Sequence, residues 1–328
     1  MTDPATDPQP LLTTTPNLLA PLAKPEKHSL TEFFIGPGGL RSGWGFALYL
    51  ALVIAMVLAV RFLTHPMVHR LKGTVWQFLV QELLMATCTI LPAIAMSRIE
   101  KRPFGDYGLP ASGAFGTKFW SGIVWGFVAL TLLLGMLRGA HAFYFGTIGE
   151  HGMRALKFAI FWAVLFLLVG FFEEFFFRGY TLFTLSRGIG FWPTAVALST
   201  LFGWVHLGNA GESWRGGLSA GLIGLFFCFT VRRTGTLWFA IGLHASWDWA
   251  QSYFYGVADS GMMAQGHLLN PSFQGPAWLT GGSVGPEGSV LVFVVIGLLF
   301  AAFHLTHPPV PAAPRVAPTA ELTLHPAQ

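Results

Sequence analysis

Glu173-Glu174-Phe175-Phe176-Phe177-Arg178 places two carboxylates and a guanidinium inside an otherwise apolar run at 158–180. A charge near the centre of a bilayer costs roughly 2.5–3.5 kcal/mol on insertion scales, so three together need a reason. On a helix, Glu174 and Arg178 are one turn apart, about 40° around the axis and in the favourable acid-before-base order, which predicts an ion pair. Glu173 points about 100° away and is left without that partner. One carboxylate is therefore expected to be structural and the other available for chemistry. Buried Glu–Arg pairs also serve simply to hold membrane helices together, and the motif alone favours that plainer reading. Two later histidines shift the balance. One is His206, at the end of Phe202-Gly203-Trp204-Val205-His206. The other opens His244-Ala245-Ser246-Trp247-Asp248, with Asp248 one helical turn on and on the same face. Carboxylates and imidazoles are the groups of proton transfer and of metal binding.

Composition decides the surroundings of these groups. The chain has 328 residues, 53% of them hydrophobic and 10% charged, and a mean hydropathy of +0.57. Soluble domains carry about 25% charged residues, so the values point to an all-α, polytopic integral membrane protein. The net charge of +4 is small, and its basic residues are spread over the connections between apolar runs. That pattern sets orientation and gives no basis for nucleic-acid binding. Cys88 and Cys228 both fall within apolar spans and read as small core residues.

Residues 1–43 are polar and rich in Pro, Thr and Gly, and are expected to be a disordered tail without a cleavable signal sequence. The first apolar span is then expected to act as an uncleaved anchor. About eight transmembrane helices follow, near 44–63, 75–96, 119–137, 158–180, 191–207, 218–231, 236–255 and 289–305, giving a membrane domain over 44–306. A Pro- and Ala-rich tail closes the chain at 307–328. Glu82, in the second span, is expected to pack helices, with a supporting role at the site as the alternative. Lys and Arg are more numerous on the side of the termini, which predicts cytoplasmic termini in an inner or plasma membrane if the source is bacterial. The long connection 256–288 has no Lys or Arg. No internal repeat argues for a transporter of inverted halves.

Glu173 and His206 are 33 residues apart, and their midpoint falls in Gly188-Ile189-Gly190. A hairpin turning there would put them at equal heights on adjacent helices. His244 lies roughly 12 Å along a helix from Thr236. Equal depth then requires either a turn projecting beyond the bilayer or an irregular fifth helix, for which the polar stretch 207–217 is the candidate.

With these residues in place, the sequence resembles the CAAX protease and bacteriocin-processing family of intramembrane endopeptidases. That family carries Glu-Glu-x-x-x-Arg, then Phe-x-x-x-His, then His-x-x-x-Asn or Asp on successive helices. The matches here are Glu173-Glu174 to Arg178, Phe202 to His206, and His244 to Asp248, within a core of about 165–255. Arg178-Gly179-Tyr180 and Arg233-Thr234-Gly235-Thr236-Leu237-Trp238 extend the likeness. The resemblance implies peptide-bond hydrolysis in a cavity within the membrane. Glu173 with His206 would activate a water, His244 and Asp248 would stabilise the oxyanion, and Glu174 and Arg178 would support the helix.

Asp248 departs from the asparagine common at that place. An amide can donate to an oxyanion, whereas an ionised carboxylate cannot. Asp248 must then carry a proton, act through His244, or bind a metal. Two accounts stay open: a metal-free, glutamate-activated water, which is preferred, and a zinc site made by Glu173, His206, His244 and Asp248. The expected partners are the lipid bilayer and a membrane-embedded or lipid-associated peptide or protein, of the prenylated CAAX or the bacteriocin-peptide kind. The competing functions are a non-catalytic immunity or scaffold protein and, further off, a proton-coupled transporter.

Overall fold

Membrane helices gain little from apolar burial against one another, because lipid is as apolar as leucine. Their association depends on close packing and on the polar groups they trap. The computed structural model describes residues 30–36, 39–209 and 211–309, and its architecture follows that rule. In chain order the main helices are α1 (Ser42–Arg70), α2 (Val75–Ile99), α3 (Thr117–Gly139), α4 (Gly152–Arg178) and α5 (Tyr180–Ile189). They are followed by α6 (Phe191–His206), α7 (Trp214–Thr234), α8 (Trp238–Trp249) and α9 (Leu291–Thr306). The stretches long and apolar enough to cross a membrane are α1, α2, α3, Gly152–Ile189 and α7, with α9 a shorter apolar helix. The chain is an all-α integral membrane protein.

Each of the eight expected spans falls on a helix, but the boundaries differ in ways that matter. α1 continues past 63 to Arg70, through Pro66. The apolar run around the charged motif starts earlier, at Gly152, and stops at Arg178. A separate helix, α5, occupies 180–189, between the charged motif and the turn expected at Gly188-Ile189-Gly190. Its backbone breaks at Gly179, where a Cβ would lie 2.3 Å from the Phe175 carbonyl oxygen. The chain reverses at Gly190, within the expected turn, where a φ of +86° is open to glycine and strained for other residues. The break at Gly179 interrupts the straight arm that the hairpin reading assumed between Glu173 and that turn. The seventh span is also shorter than expected: α8 ends at Trp249 and passes into a π-helical turn, Ala250–Phe254.

α3 and α8 make the closest approach. A Cβ on Gly122 would sit 2.2 Å from Phe239 O, one on Gly126 2.2 Å from Leu243 O, and one on Gly242 2.2 Å from Phe119 O. Glycines four apart on α3 let the two backbones touch, as small residues do throughout membrane bundles. Around this seam Leu130, Leu133, Phe226, Phe239, Leu243 and Phe303 form one core cluster. A second gathers Tyr49, Met96, Tyr107, Tyr180 and Ile241. α7 is capped at both ends: Ser213 Oγ accepts from Gly216 N at 3.2 Å, and Gly235 adopts the left-handed conformation at its end.

Two short strands, β1 (Phe143–Ile148) and β2 (Leu269–Phe273), pair antiparallel, with Phe143 opposite Phe273 and Ile148 opposite Leu269. They fasten the α3–α4 connection to the middle of 256–288, which the sequence reading treats as plain loop. Most of the expected tail 1–43, and all but the first residues of 307–328, lie outside the described residues. Within the former, Leu30–Phe34 forms one turn of helix.

Candidate active site

α4 supplies the charged motif, and its two glutamates have different surroundings. Glu174 and Arg178 have fully buried side chains, with Arg178 Nη1 donating to Glu174 Oε1 over 3.2 Å. The guanidinium also lies over the Phe202 ring, 4.2 Å from its centroid, which helps a cation with unmatched N–H groups to stay buried. Gly224 of α7 makes room for it, since a Cβ there would come within 2.3 Å of Arg178 Nη2. The expected ion pair is present.

The same Glu174 oxygen reaches across to α8. His244 Nδ1 lies 2.9 Å from Glu174 Oε1. A carboxylate paired to arginine accepts, so the imidazole carries its proton on Nδ1. That leaves Nε2 at 3.5 Å from Asp248 Oδ2 and 3.8 Å from Glu173 Oε2. Phe227 stacks on the imidazole, with centroids 5.4 Å apart and planes 14° from parallel. Arg178, Glu174 and His244 thus form a chain in which each group sets the next. The sequence reading takes Glu174 as helix support alone; it is also the group that orients His244. Nothing in the spacing could have shown a contact across 70 positions.

Glu173 points the other way. Its Oε2 is buried and has no hydrogen-bond partner. It lines a cavity of about 560 Å³ together with His206, His244 and Asp248. All four candidate residues border one space, but contact joins only three of them. No hydrogen bond or ion pair joins His206 to Glu173; instead its Nδ1 donates to Phe202 O over 2.8 Å. A carbonyl can only accept, so Nε2 of His206 is the basic nitrogen. The Phe202 ring packs against that of His206 with centroids 4.3 Å apart and planes tilted by 53°.

The rest of the lining comes from residues that sequence spacing does not gather. Glu82 of α2 borders the cavity, which favours the alternative reading of a supporting place at the site over helix packing alone. Glu212 from 207–213, and Asp259 and Glu287 from 256–288, border it as well. Glu287 accepts from Trp247 Nε1 at 2.9 Å and from Ser260 Oγ at 3.2 Å, tying its loop to α8 beside Asp248. Burial first, and then the neighbouring Asp248 and Glu287, hold the Asp259 carboxyl well above its ordinary range. Burial likewise pushes Glu212 up. The only signal in the sequence was the absence of Lys and Arg over 256–288.

A zinc site would need its donors to converge. Among the described residues no three His, Cys, Asp or Glu side chains do so. His206 stands apart from the other three candidates, and both His244 nitrogens face carboxylates. The four-donor zinc set does not fit this arrangement.

Residues 155–250 match the model of a family described as type II CAAX prenyl endopeptidase, Rce1-like. Over this stretch, under a third of the chain, the protein is similar to that family. The stretch contains all three motifs and leaves Glu82, Asp259 and Glu287 outside. No curated protein and no solved structure matches the chain. At the family level the matched description is that of an endopeptidase, and the five long apolar stretches of this chain are in keeping with one that works in a membrane.

Proposed function

We propose that the chain hydrolyses peptide bonds of membrane-associated peptides or proteins, with Glu173 as the general base toward a water. The observation that carries this reading is the buried, unpartnered Glu173 Oε2 on a cavity shared with two imidazoles. In the water-attack step Glu173 takes a proton from water while the oxygen adds to the scissile carbonyl. His206 Nε2, with its tautomer set by Phe202 O, orients the same water or takes the second proton. The proton on Glu173 then passes to the leaving amine, as it must for the bond to break.

The oxyanion needs a donor. His244 is held by Glu174 with Nε2 turned toward Glu173 and Asp248. When Nε2 is protonated, its N–H supplies that donor, and Asp248 stabilises the imidazolium. On this reading Asp248 acts through His244 and does not itself have to donate. The reading is metal-free.

Purified full-length protein in lipid nanodiscs, offered membrane-anchored peptides, tests the proposal. Cleavage lost in Glu173→Gln and insensitive to chelators in the wild type is the expected result. A Glu173→Gln protein that cleaves normally would overturn it and favour a structural or immunity role for the motif.

A further inference from the structure

A second cavity, of about 700 Å³, lies between α1 and α2 and shares no lining residue with the catalytic one. α2 is the wall between them: Gln77 and Gln81 border the second cavity, while Phe78 and Glu82 border the first. α1 has 29 residues, and about 20 are enough to cross the hydrocarbon of a bilayer. Counted from Ser42, that length runs out near Arg61. The turns of α1 beyond Arg61 therefore stand at the depth of lipid headgroups.

The cavity changes character at this same height. Deeper in, its walls are Val57, Val60, Leu84, Met85 and Cys88, all apolar. From that height outward they carry Arg61, His65, His69 and Lys72. Arg61, His65 and His69 follow one another at intervals of four and form one stripe on α1. The two imidazoles lie parallel, with centroids 5.9 Å apart and planes 6° from one another. Each donates at least one N–H in either charge state. No acidic side chain borders this cavity among the described residues.

Basic residues at the end of a span ordinarily reach the headgroups of bulk lipid without holding any one molecule. These differ in lining a cavity whose other end is apolar. Arg70, in the same turns of α1, does not border it and provides a control. A cationic end at headgroup depth and an apolar end in the hydrocarbon together fit a lipid of net negative charge. A soluble anion would leave the apolar end unfilled, and a zwitterionic lipid brings a cation of its own to the basic stripe.

We propose that the cavity between α1 and α2 is a binding site for an anionic phospholipid, with its phosphate on the stripe from Arg61 to Lys72 and an acyl chain between Val60 and Met85. The site lies outside the hydrolytic machinery and stands whether or not the chain cleaves peptides.

For the test, the full chain in detergent micelles is titrated with phosphatidylglycerol, with phosphatidylcholine of the same acyl chains, and with inorganic phosphate. Native mass spectrometry counts the bound molecules. Phosphatidylglycerol is expected to bind about tenfold more tightly than phosphatidylcholine and to resist displacement by excess phosphate. Arg61→Gln and Lys72→Gln should each reduce that preference, and Arg70→Gln should leave it intact. All three side chains are exposed, so these variants are expected to fold. Val60→Trp, which fills the cavity without changing its charge, should weaken the binding of both lipids. Equal affinity for the two lipids overturns the proposal. So does a loss in Arg70→Gln as large as that in Arg61→Gln, which would mean a diffuse surface field. Displacement by phosphate replaces the lipid with a soluble anion, and undiminished binding to Val60→Trp removes the acyl chain from the cavity; either result overturns the assignment.

Discussion

Glu174, Arg178 and His244 sit on long helices and hold one another through direct contacts, with aromatic rings on the guanidinium and the imidazole. His206, Glu212, Asp259 and Glu287, which border the same cavity, are carried by a helix end and by loops. The first group has its geometry imposed by a closely packed bundle, down to glycines that let α3 touch α8. The second is held through loop contacts: Glu287 accepts from Trp247 Nε1 and Ser260 Oγ, and Ser283 Oγ donates to Gly211 O at 2.9 Å, tying one loop to the other. One wall of the cavity is thus built on packed helices and the other on loops, the usual division between a rigid frame and its loops.

Breaking the chemistry should give the largest effect. Glu173→Gln is expected to lower kcat by about 10²–10⁴-fold, the range for a lost general base, with unchanged folded yield in membranes. A comparable loss of yield would mean that Glu173 belongs to the rigid group. Glu174→Gln should differ in kind. It strands Arg178 inside the bundle and should cost about 3–5 kcal/mol of stability, while activity falls because His244 loses its orienting acceptor. A double-mutant cycle with Arg178→Met, followed by thermal unfolding in detergent, should recover part of that stability without restoring cleavage. Full recovery of both would make the Glu174–His244 contact irrelevant.

Packing gives the next effect. Gly126→Val drives methyl groups into Leu243 O and the Ser246 hydroxyl, and overpacking of this kind costs about 1–3 kcal/mol. Gly135→Val, on the same helix with nothing within 4 Å of its Cβ, should leave the melting temperature nearly unchanged. Asp248→Asn is a subtler probe. Loss of the anion beside His244 should shift the pH profile of kcat while some activity persists, because the amide can itself donate to the oxyanion. Complete inactivity with an unchanged fold would show that the carboxylate has a role the imidazolium account lacks.

The smallest effect concerns a loop acid. Burial, with Asp248 and Glu287 nearby, holds the Asp259 carboxyl well above its ordinary range. Its contribution to stability is therefore fully present below about pH 4 and is lost as pH rises through the folded value. Asp259→Asn should be more stable than wild type near neutrality, and the difference should vanish in acid. Equal melting curves at all pH values would place Asp259 in solvent.

How far the site could be read in advance follows the same division. The Glu174–Arg178 pair was legible because one helical turn fixes which side chains meet. His244 with Asp248 was legible for the same reason. The Glu173–His206 height match was not, because Gly179 ends α4 and inserts α5 where a simple hairpin was assumed. The Glu174–His244 bond needed tertiary packing to appear. Asp259 and Glu287 are isolated acids among glycines and prolines, and no periodicity relates a loop residue to a helix face.

The pairing of β1 with β2 has a consequence for how such a protein can change over generations. It divides 256–288 into two sublengths, one before Leu269 that carries Asp259 and one after Phe273 that carries Glu287. Each is closed at one end by the strand pair and at the other by a helix, and lengthening a closed loop has only a slowly growing entropic cost. The two sublengths are nevertheless joined, because Gly261 N donates to Val284 O at 3.0 Å and Ser260 Oγ to Glu287 at 3.2 Å. An insertion in either one therefore moves Asp259 and Glu287 together, so that this wall of the cavity is inherited as a unit.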